Sequence, residues 1–181
     1  NNGGAGNPPS KGHPTSYLWE EVWERHSWLE IIGRYLVAEK NDKKQIEKII
    51  FPRYHQLDAV RALIAQSGEE GAGHNYLIQH SAGSGKSNSI AWLAHQLIGT
   101  TREEKNVFDS IIVVTDRKIL DQQIRDTIRQ FAQVSATVGH AERAGDLRKF
   151  ISEGKKIIIS TVQKFPFILD EIGSEHRGRS F

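Results

Sequence analysis

The chain has 181 residues, 38% of them hydrophobic, which suits one folded domain or a domain with an appendage. It has no cysteine, which excludes disulfides and zinc–thiolate sites and fits a reducing compartment such as the cytoplasm. The net charge of +2 permits nucleic acid as a partner without indicating one, and no apolar run approaches the roughly 20 residues of a membrane span.

Residues 1–48 are predicted to form a linker and a helical connector. The linker part is rich in Gly, Asn, Pro and Ser, and the apolar spacing that follows predicts one helix over residues 17–38. That helix carries Trp19, Trp23 and Trp28 beside several glutamates, which would repel a phosphate backbone. We therefore expect the tryptophans to pack in a core or an interface rather than stack on bases.

A second domain is predicted over residues 49–181, after a polar and solvated stretch at residues 41–48. Its first helix is expected to open with residues 53–56, continue over residues 57–64 and end near Gly68, with Gln56 at the helix start. A carboxamide offers one donor and one acceptor, which match the N6 and N7 edge of adenine. Gln56 is therefore a candidate adenine-binding residue, and a surface glutamine without such a role is the alternative.

A glycine loop (residues 79–87) follows an apolar run at residues 75–78 and precedes a stretch with helical periodicity that includes Ile90. Strand, glycine loop and helix form the context of a phosphate-binding loop, because inward N–H groups and a helix N-terminus favour anions. Lys86 is predicted to reach the β- and γ-phosphates as the catalytic residue, and the Ser87 hydroxyl to hold Mg²⁺. The predicted ATP-binding residues are Gln56, Ser81, Ala82, Gly83, Ser84, Gly85, Lys86 and Ser87.

One position of the glycine loop departs from the full phosphate-loop pattern. That pattern begins with Gly four residues before the Gly-Lys pair, and His80 stands there in this chain. The alternative interpretation of the loop is a Gly/Ser-rich strand-to-helix turn with an incidental lysine.

The rest of the chain alternates strands with helices. Strands are predicted at residues 110–115, 134–138 and 157–160, and the first and third are continuous apolar runs typical of buried parallel strands. Helices are predicted between them, the second over residues 142–151. This alternation predicts βαβ units, a parallel sheet and an α/β fold, with ligands at the carboxyl ends of the strands.

Taken together, these segments resemble the first motor domain of superfamily 2 helicases. Gln56 stands where that superfamily has its adenine-binding glutamine, and residues 83–87 match motif I. In detail, these motifs are similar to those of the restriction (R) subunit of Type I restriction–modification enzymes. A histidine in place of glycine, as at His80, is itself like that family. The stretches that carry the resemblance are residues 2–8, Tyr54-His55-Gln56, residues 79–87, Val114-Thr115-Asp116-Arg117-Lys118-Ile119-Leu120-Asp121 and Ser160-Thr161-Val162-Gln163-Lys164-Phe165.

The resemblance implies a truncated, RecA-like P-loop NTPase motor lobe with an N-terminal helical connector. Such a motor uses ATP and Mg²⁺ to move double-stranded DNA while held by methyltransferase and specificity subunits in the cytoplasm. Cleavage in that family belongs to a separate nuclease domain, for which we assign no residues here. The candidate DNA contacts are Thr115, Arg117, His140, Thr161, Gln163 and Lys164. We expect them to contact phosphates, and the alternative for each is a helix cap or a solvated side chain.

Residues 167–171 have the pattern of a Walker B strand, apolar positions followed by Asp170 and Glu171. We favour a helix start, because the preceding predicted strand ends only about ten residues earlier and Pro166 suits a helix start. The resemblance places the hydrolytic acids beyond Phe181, so we expect the chain to bind nucleotide without DNA-stimulated ATPase activity. The absence of methionine likewise favours a piece of a longer protein.

Three other functions remain open from the sequence alone. One is another superfamily 2 helicase, and a second is a P-loop kinase or signalling NTPase that never contacts DNA. The third is a nucleotide-gated scaffold without enzymatic activity. An acceptor-substrate lid or base-recognition switch motifs would favour the second, and neither is evident in the sequence.

Overall fold

A computed structural model of the chain describes residues 12–41, 43, 45–116, 118–131, 138–141 and 144–164. The predicted DNA contact Arg117, the side chain of Lys164 and the acidic stretch at residues 167–171 lie outside this description. Internal contacts divide the chain into two units, Asn1–Pro52 and Arg53–Phe181. None of the helices described combines the length and apolar character that crossing a membrane requires.

The first unit is partly helical and partly β. Its elements in chain order are a π-helical turn (Leu18–Val22), helix α1 (Arg25–Glu30), a second π-helical turn (Ile31–Tyr35) and the antiparallel strands β1 (Val37–Lys40) and β2 (Ile46–Ile50). The prediction of one helix over residues 17–38 is therefore wrong. Glu24 interrupts it, because its backbone is extended and its carboxylate accepts a hydrogen bond from the Ser27 N–H at 2.9 Å. This is N-cap geometry, which begins a new helix, and the bond from the Ser27 N–H also lowers the pKa of the Glu24 carboxyl.

The tryptophans of this unit are not in its core. Trp19 and Trp23 are 50% and 58% exposed, whereas Ile31 and Tyr35, in the described part of the same unit, are fully buried. Trp28 contacts the Phe51 ring, with centroids 6.2 Å apart. Packing within this core is thus a wrong prediction for Trp19 and Trp23, and packing against a partner stays a prediction.

The second unit is built on a parallel sheet flanked by helices. Its helices are α2 (Tyr54–Glu70), α3 (Lys86–Leu97), α4 (Lys118–Phe131) and α5 (Ala144–Ser152). Its strands are β3 (Thr101–Arg102), β4 (Lys105–Asn106), β5 (Ile111–Thr115), β6 (Val138–His140) and β7 (Ile157–Thr161), and a 3₁₀ turn, Val162–Lys164, follows the last. The three-stranded sheet has the order β5-β7-β6, and both pairings are parallel.

Strand β7 is the centre of the core because both of its faces are covered. Ile157 and Ile159 pack with residues of α3 and α4, among them Ala91 and Ile128. Ile158 points to the other face, since successive strand side chains alternate, and packs there beside α5. The continuous apolar run therefore forms a buried parallel strand, which confirms the α/β prediction.

Several boundaries differ from the sequence prediction. Helix α2 begins at Tyr54, within the predicted opening, and ends at Glu70, two residues beyond the predicted end near Gly68. The predicted strand at residues 134–138 is described only from Val138 onward. Strands β3 and β4 form a small hairpin that the sequence did not suggest. Its two central residues, Glu103 and Glu104, have positive φ angles of 50° and 64°, which is the backbone of a tight hairpin turn.

The apolar run before the glycine loop is not a strand. Residues 75–78 have no regular secondary structure, no described strand pairs with them, and Leu77 is 93% exposed. The prediction of a strand here is wrong, since apolar composition alone does not supply the neighbouring strand whose backbone would complete the hydrogen bonds.

His95 joins two helices of the core. Its Nε2–H donates to the Ile128 carbonyl at 2.9 Å, and burial lowers the pKa of the imidazole by more than this bond raises it. The folded protein therefore takes up a proton at His95 less readily than the unfolded chain does. The stability that this histidine contributes is complete above its unfolded pKa of about 6.5 and is lost as the pH falls below that value.

We expect His95→Gln, which retains an amide donor, to weaken this loss of stability in acid. The measurement is the free energy of unfolding from urea titrations between about pH 7.5 and pH 5. Gln122→Ala, which replaces an exposed side chain of the same unit that does not titrate, is the control and should keep the wild-type pH dependence. An identical pH dependence in His95→Gln and wild type would contradict the assignment.

Candidate functional site

The glycine loop curls back on itself directly before α3. Gly83 and Gly85 have φ angles of +73° and +81°, in the left-handed region that favours glycine. The Ser84 N–H donates to the Ser81 carbonyl at 3.4 Å, which closes the turn. Helix α3 begins at Lys86, so its first N–H groups have no acceptor within the helix. This geometry can bind an anion through backbone N–H groups and the positive end of the helix dipole.

Lys86 carries its ammonium group back over the glycine loop. The Nζ donates to the Ser81 carbonyl at 2.7 Å and to the His80 carbonyl at 3.3 Å, and the residue is exposed. The ammonium therefore lies beside the start of the loop and is accessible to an anion from solvent. Lysine is a compact charge on a flexible stem, so it can move from these carbonyls to a phosphate oxygen.

The first turn of α2 lies against the glycine loop through Gln56. The side chain is 3% exposed, and its Oε1 accepts the Arg53 N–H at 2.9 Å. Its Nε2 donates to the Gly85 carbonyl at 2.9 Å and approaches the Ser84 carbonyl at 3.4 Å. Both ends of the carboxamide therefore have backbone partners in this structure, and adenine binding by Gln56 stays a prediction.

A second side chain of α2, His55, also reaches the glycine loop. Its Nε2 lies 3.0 Å from the Ser84 carbonyl oxygen, and its ring meets the His80 ring edge to face at 5.0 Å. Sequence reasoning did not single out His55. The signal available was its place next to Gln56 at a helix start, because the two side chains of one helical turn can contact the same neighbour.

The described residues offer limited means of holding a metal. Ser87 lies in the first turn of α3 and is partly exposed, as a hydroxyl ligand of Mg²⁺ must be. Nowhere in the part of the chain that the structure describes do three or more histidines or carboxylates cluster as metal ligands. Mg²⁺ bound to a nucleotide takes most of its ligands from phosphates and water, so a single hydroxyl such as that of Ser87 is compatible with it. Mg²⁺ binding by Ser87 stays a prediction.

The candidate DNA contacts that can be described lie at the carboxyl edge of the sheet. Thr115 and Thr161 are paired in register, and both are at least 95% buried. Gln163 donates from Nε2 to the Asp116 carbonyl at 2.8 Å, which ties the chain after β7 to the chain after β5. His140 ends β6, where its Nδ1 accepts a long hydrogen bond from the Arg125 guanidinium at 3.4 Å. The strand ends thus meet as predicted, but the two threonines present little side chain to a ligand.

Comparison with known proteins assigns the chain to a family. Residues 55–177 match the SWI2/SNF2 ATPase family. An endonuclease subunit of a Type I restriction enzyme from Staphylococcus aureus (strain COL) is 29% identical over 137 residues, which is 75% of this chain. The HindI endonuclease subunit from Haemophilus influenzae is 33% identical over 141 residues, which is 73% of this chain.

The chain spans only 13% of the length of these curated relatives. No solved structure matches it. The family match begins at His55 and includes Gln56 and the whole glycine loop. The chain belongs to the SWI2/SNF2 ATPase family, a helicase-like motor family, and its curated relatives are endonuclease subunits of Type I restriction enzymes.

Proposed function

We propose that the chain binds ATP as part of the DNA-translocating motor of a Type I restriction enzyme subunit. The observation that carries the proposal is the curled glycine loop at the start of α3, with the Lys86 ammonium above it, inside the segment that matches an ATPase family. An ATPase uses ATP, and a curl of N–H groups with a lysine is suited to its β- and γ-phosphates.

Each residue of the loop has a defined part in this proposal. The backbone N–H groups of residues 82–87 bind phosphate oxygens, except that of Ser84, which donates to the Ser81 carbonyl, and Lys86 neutralises charge on the β- and γ-phosphates. Ser87 supplies a hydroxyl to Mg²⁺, whose other ligands would be phosphate oxygens and water. For Gln56 to bind the edge of adenine, its carboxamide must give up the hydrogen bond to the Gly85 carbonyl and form one to the base instead.

The wider proposal concerns double-stranded DNA and the other subunits. The curated relatives are endonuclease subunits of Type I restriction enzymes, and their names support a subunit of such an enzyme. We propose further that this subunit is driven by ATP and works in the cytoplasm with methyltransferase and specificity subunits, as the resemblance of the motifs implies. DNA contact is proposed at the strand-end segments after β5 and β7, chiefly through backbone N–H groups, since Thr115 and Thr161 are buried. Arg117 and Lys164 would add phosphate contacts from the same segments.

Removing the Ser87 hydroxyl tests the nucleotide and metal parts together. We expect wild type to bind ATP more tightly with Mg²⁺ than with EDTA, and Ser87→Ala to lose most of that difference, about tenfold in affinity, because a metal ligand is missing. Isothermal titration calorimetry measures both affinities. Ser152→Ala, at the exposed end of α5, is the matched control. Equal Mg²⁺ enhancement in Ser87→Ala and wild type would refute the metal assignment, and no ATP binding by wild type would refute the proposed function.

A further inference from the structure

The tautomer of His55 follows from its partner. A carbonyl oxygen only accepts hydrogen bonds, so the Nε2 that lies 3.0 Å from the Ser84 oxygen must carry the proton. The ring is oriented by its edge-to-face contact with His80, the residue that stands in place of the usual glycine. Two consecutive residues at the start of α2, His55 and Gln56, therefore donate to two consecutive carbonyls of the glycine loop.

These bonds fix which way the peptide groups of the loop face. In a trans peptide the C=O of one residue and the N–H of the next point in opposite directions. Holding the Ser84 oxygen toward α2 therefore turns the Gly85 N–H away from α2. Holding the Gly85 oxygen toward α2 does the same for the Lys86 N–H. Both N–H groups are thereby turned away from α2, and the Gly85 carbonyl is held in addition by the Asn88 and Ser89 N–H groups of α3. An anion that approaches the loop from the side opposite α2 would meet both N–H groups.

We propose that His55 is a positioning residue for triphosphate binding, acting through the Ser84 carbonyl rather than by touching the nucleotide. The inference rests on the proposed ATP binding and deepens it. It also gives His80 a role, since the His80 ring keeps the His55 ring in the orientation that its hydrogen bond requires. Because the effect passes through the backbone of the loop, it concerns the phosphate chain and not the base.

The test compares two ligands on the same variants. His55→Phe retains a flat ring against His80 and removes the donor, His55→Met also removes the donor and fills the space flexibly, and His55→Gln retains a donor in nearly the position of the imidazole Nε2. Affinities are measured for MgATP and for inorganic triphosphate by displacement of a fluorescent ATP analogue. We expect both donor-free variants to lose about fivefold in affinity for both ligands alike, and His55→Gln to recover most of the loss.

The controls separate positioning from other roles. His74→Phe changes an exposed histidine of the same unit and should bind both ligands as wild type does. Thermal unfolding of each variant identifies any that fails to fold, and the folded donor-free variant then decides. A loss of affinity for ATP alone would mean that His55 contacts the base. Unchanged affinities for both ligands would mean that the hydrogen bond of His55 is irrelevant to binding. Either result would overturn the inference, while ATP binding by the wild-type protein would stand. Failure of wild type to bind both ligands would instead refute the proposed function.

Discussion

Replacing Lys86 with alanine is expected to reduce ATP affinity roughly a hundredfold, because it removes a charged donor from the β- and γ-phosphates and hydrogen bonds to charged groups contribute about 1.5–3 kcal/mol each. The Nζ of Lys86 is exposed, and within the described part of the chain its hydrogen bonds go only to the carbonyls of His80 and Ser81. The folded protein should therefore lose little stability. Calorimetric titration with MgATP measures the affinity, and thermal unfolding measures the stability.

Two further variants sharpen this test. Lys86→Arg keeps the charge but replaces a compact ammonium with a larger planar group, so we expect an affinity between those of wild type and Lys86→Ala. Lys105→Ala removes an exposed lysine of β4 and should leave the affinity unchanged. If Lys86→Ala bound ATP as well as wild type, the glycine loop would not be the phosphate site.

Gly85→Ala is expected to have the second largest effect, on both ATP affinity and stability. A side chain at φ +81° costs about 1–2 kcal/mol, and its Cβ would lie 2.5 Å from Nε2 of Gln56, which cannot move without losing its bond to the Gly85 carbonyl. We expect a fall of several degrees in melting temperature. We also expect at least a tenfold loss of ATP affinity, because a peptide group whose carbonyl is displaced also turns its N–H away from the phosphates.

Gly83 provides a matched control for this prediction. Its φ of +73° is also positive, but a Cβ there would meet no atom within 4 Å. Gly83→Ala should therefore show the cost of the backbone alone and be the milder change. Combining Gly85→Ala with Gln56→Ala removes the collision and should restore part of the melting temperature. Equal effects of the two glycine substitutions would show that the contact with Gln56 does not matter.

Local sequence was sufficient for much of the fold because its signals are physical and short in range. The short β-branched run from Ile157 is typical of a strand covered on both faces, and the glycines at Gly83 and Gly85 mark positions where the backbone turns left-handed. The same kind of reasoning failed at residues 75–78, where an apolar run predicted a strand. It also failed at Glu24, whose side chain caps a new helix within what the periodicity predicted as one helix.

The contacts of the candidate site depend on residues far apart in the chain. Gln56 and the Gly85 carbonyl are 29 residues apart, and so are His55 and the Ser84 carbonyl. The sequence shows that His55 can donate a hydrogen bond, but it does not show which carbonyl accepts that bond. The contact between α2 and the glycine loop is therefore visible only in the structure. Burial of Thr115 was likewise invisible, because a strand end can lie at the surface or beneath the turn that follows it.

The amide N–H signals of residues 82–87 in a two-dimensional ¹H–¹⁵N NMR spectrum provide the most direct measurement of the phosphate site. Titration with MgATP should produce the largest shifts in this stretch, above all at Gly85 and Lys86, because charge-assisted hydrogen bonds form at those protons. Inorganic triphosphate should shift the same signals. Saturable shifts elsewhere with none in the glycine loop, or no shifts at all, would contradict ATP binding by this loop.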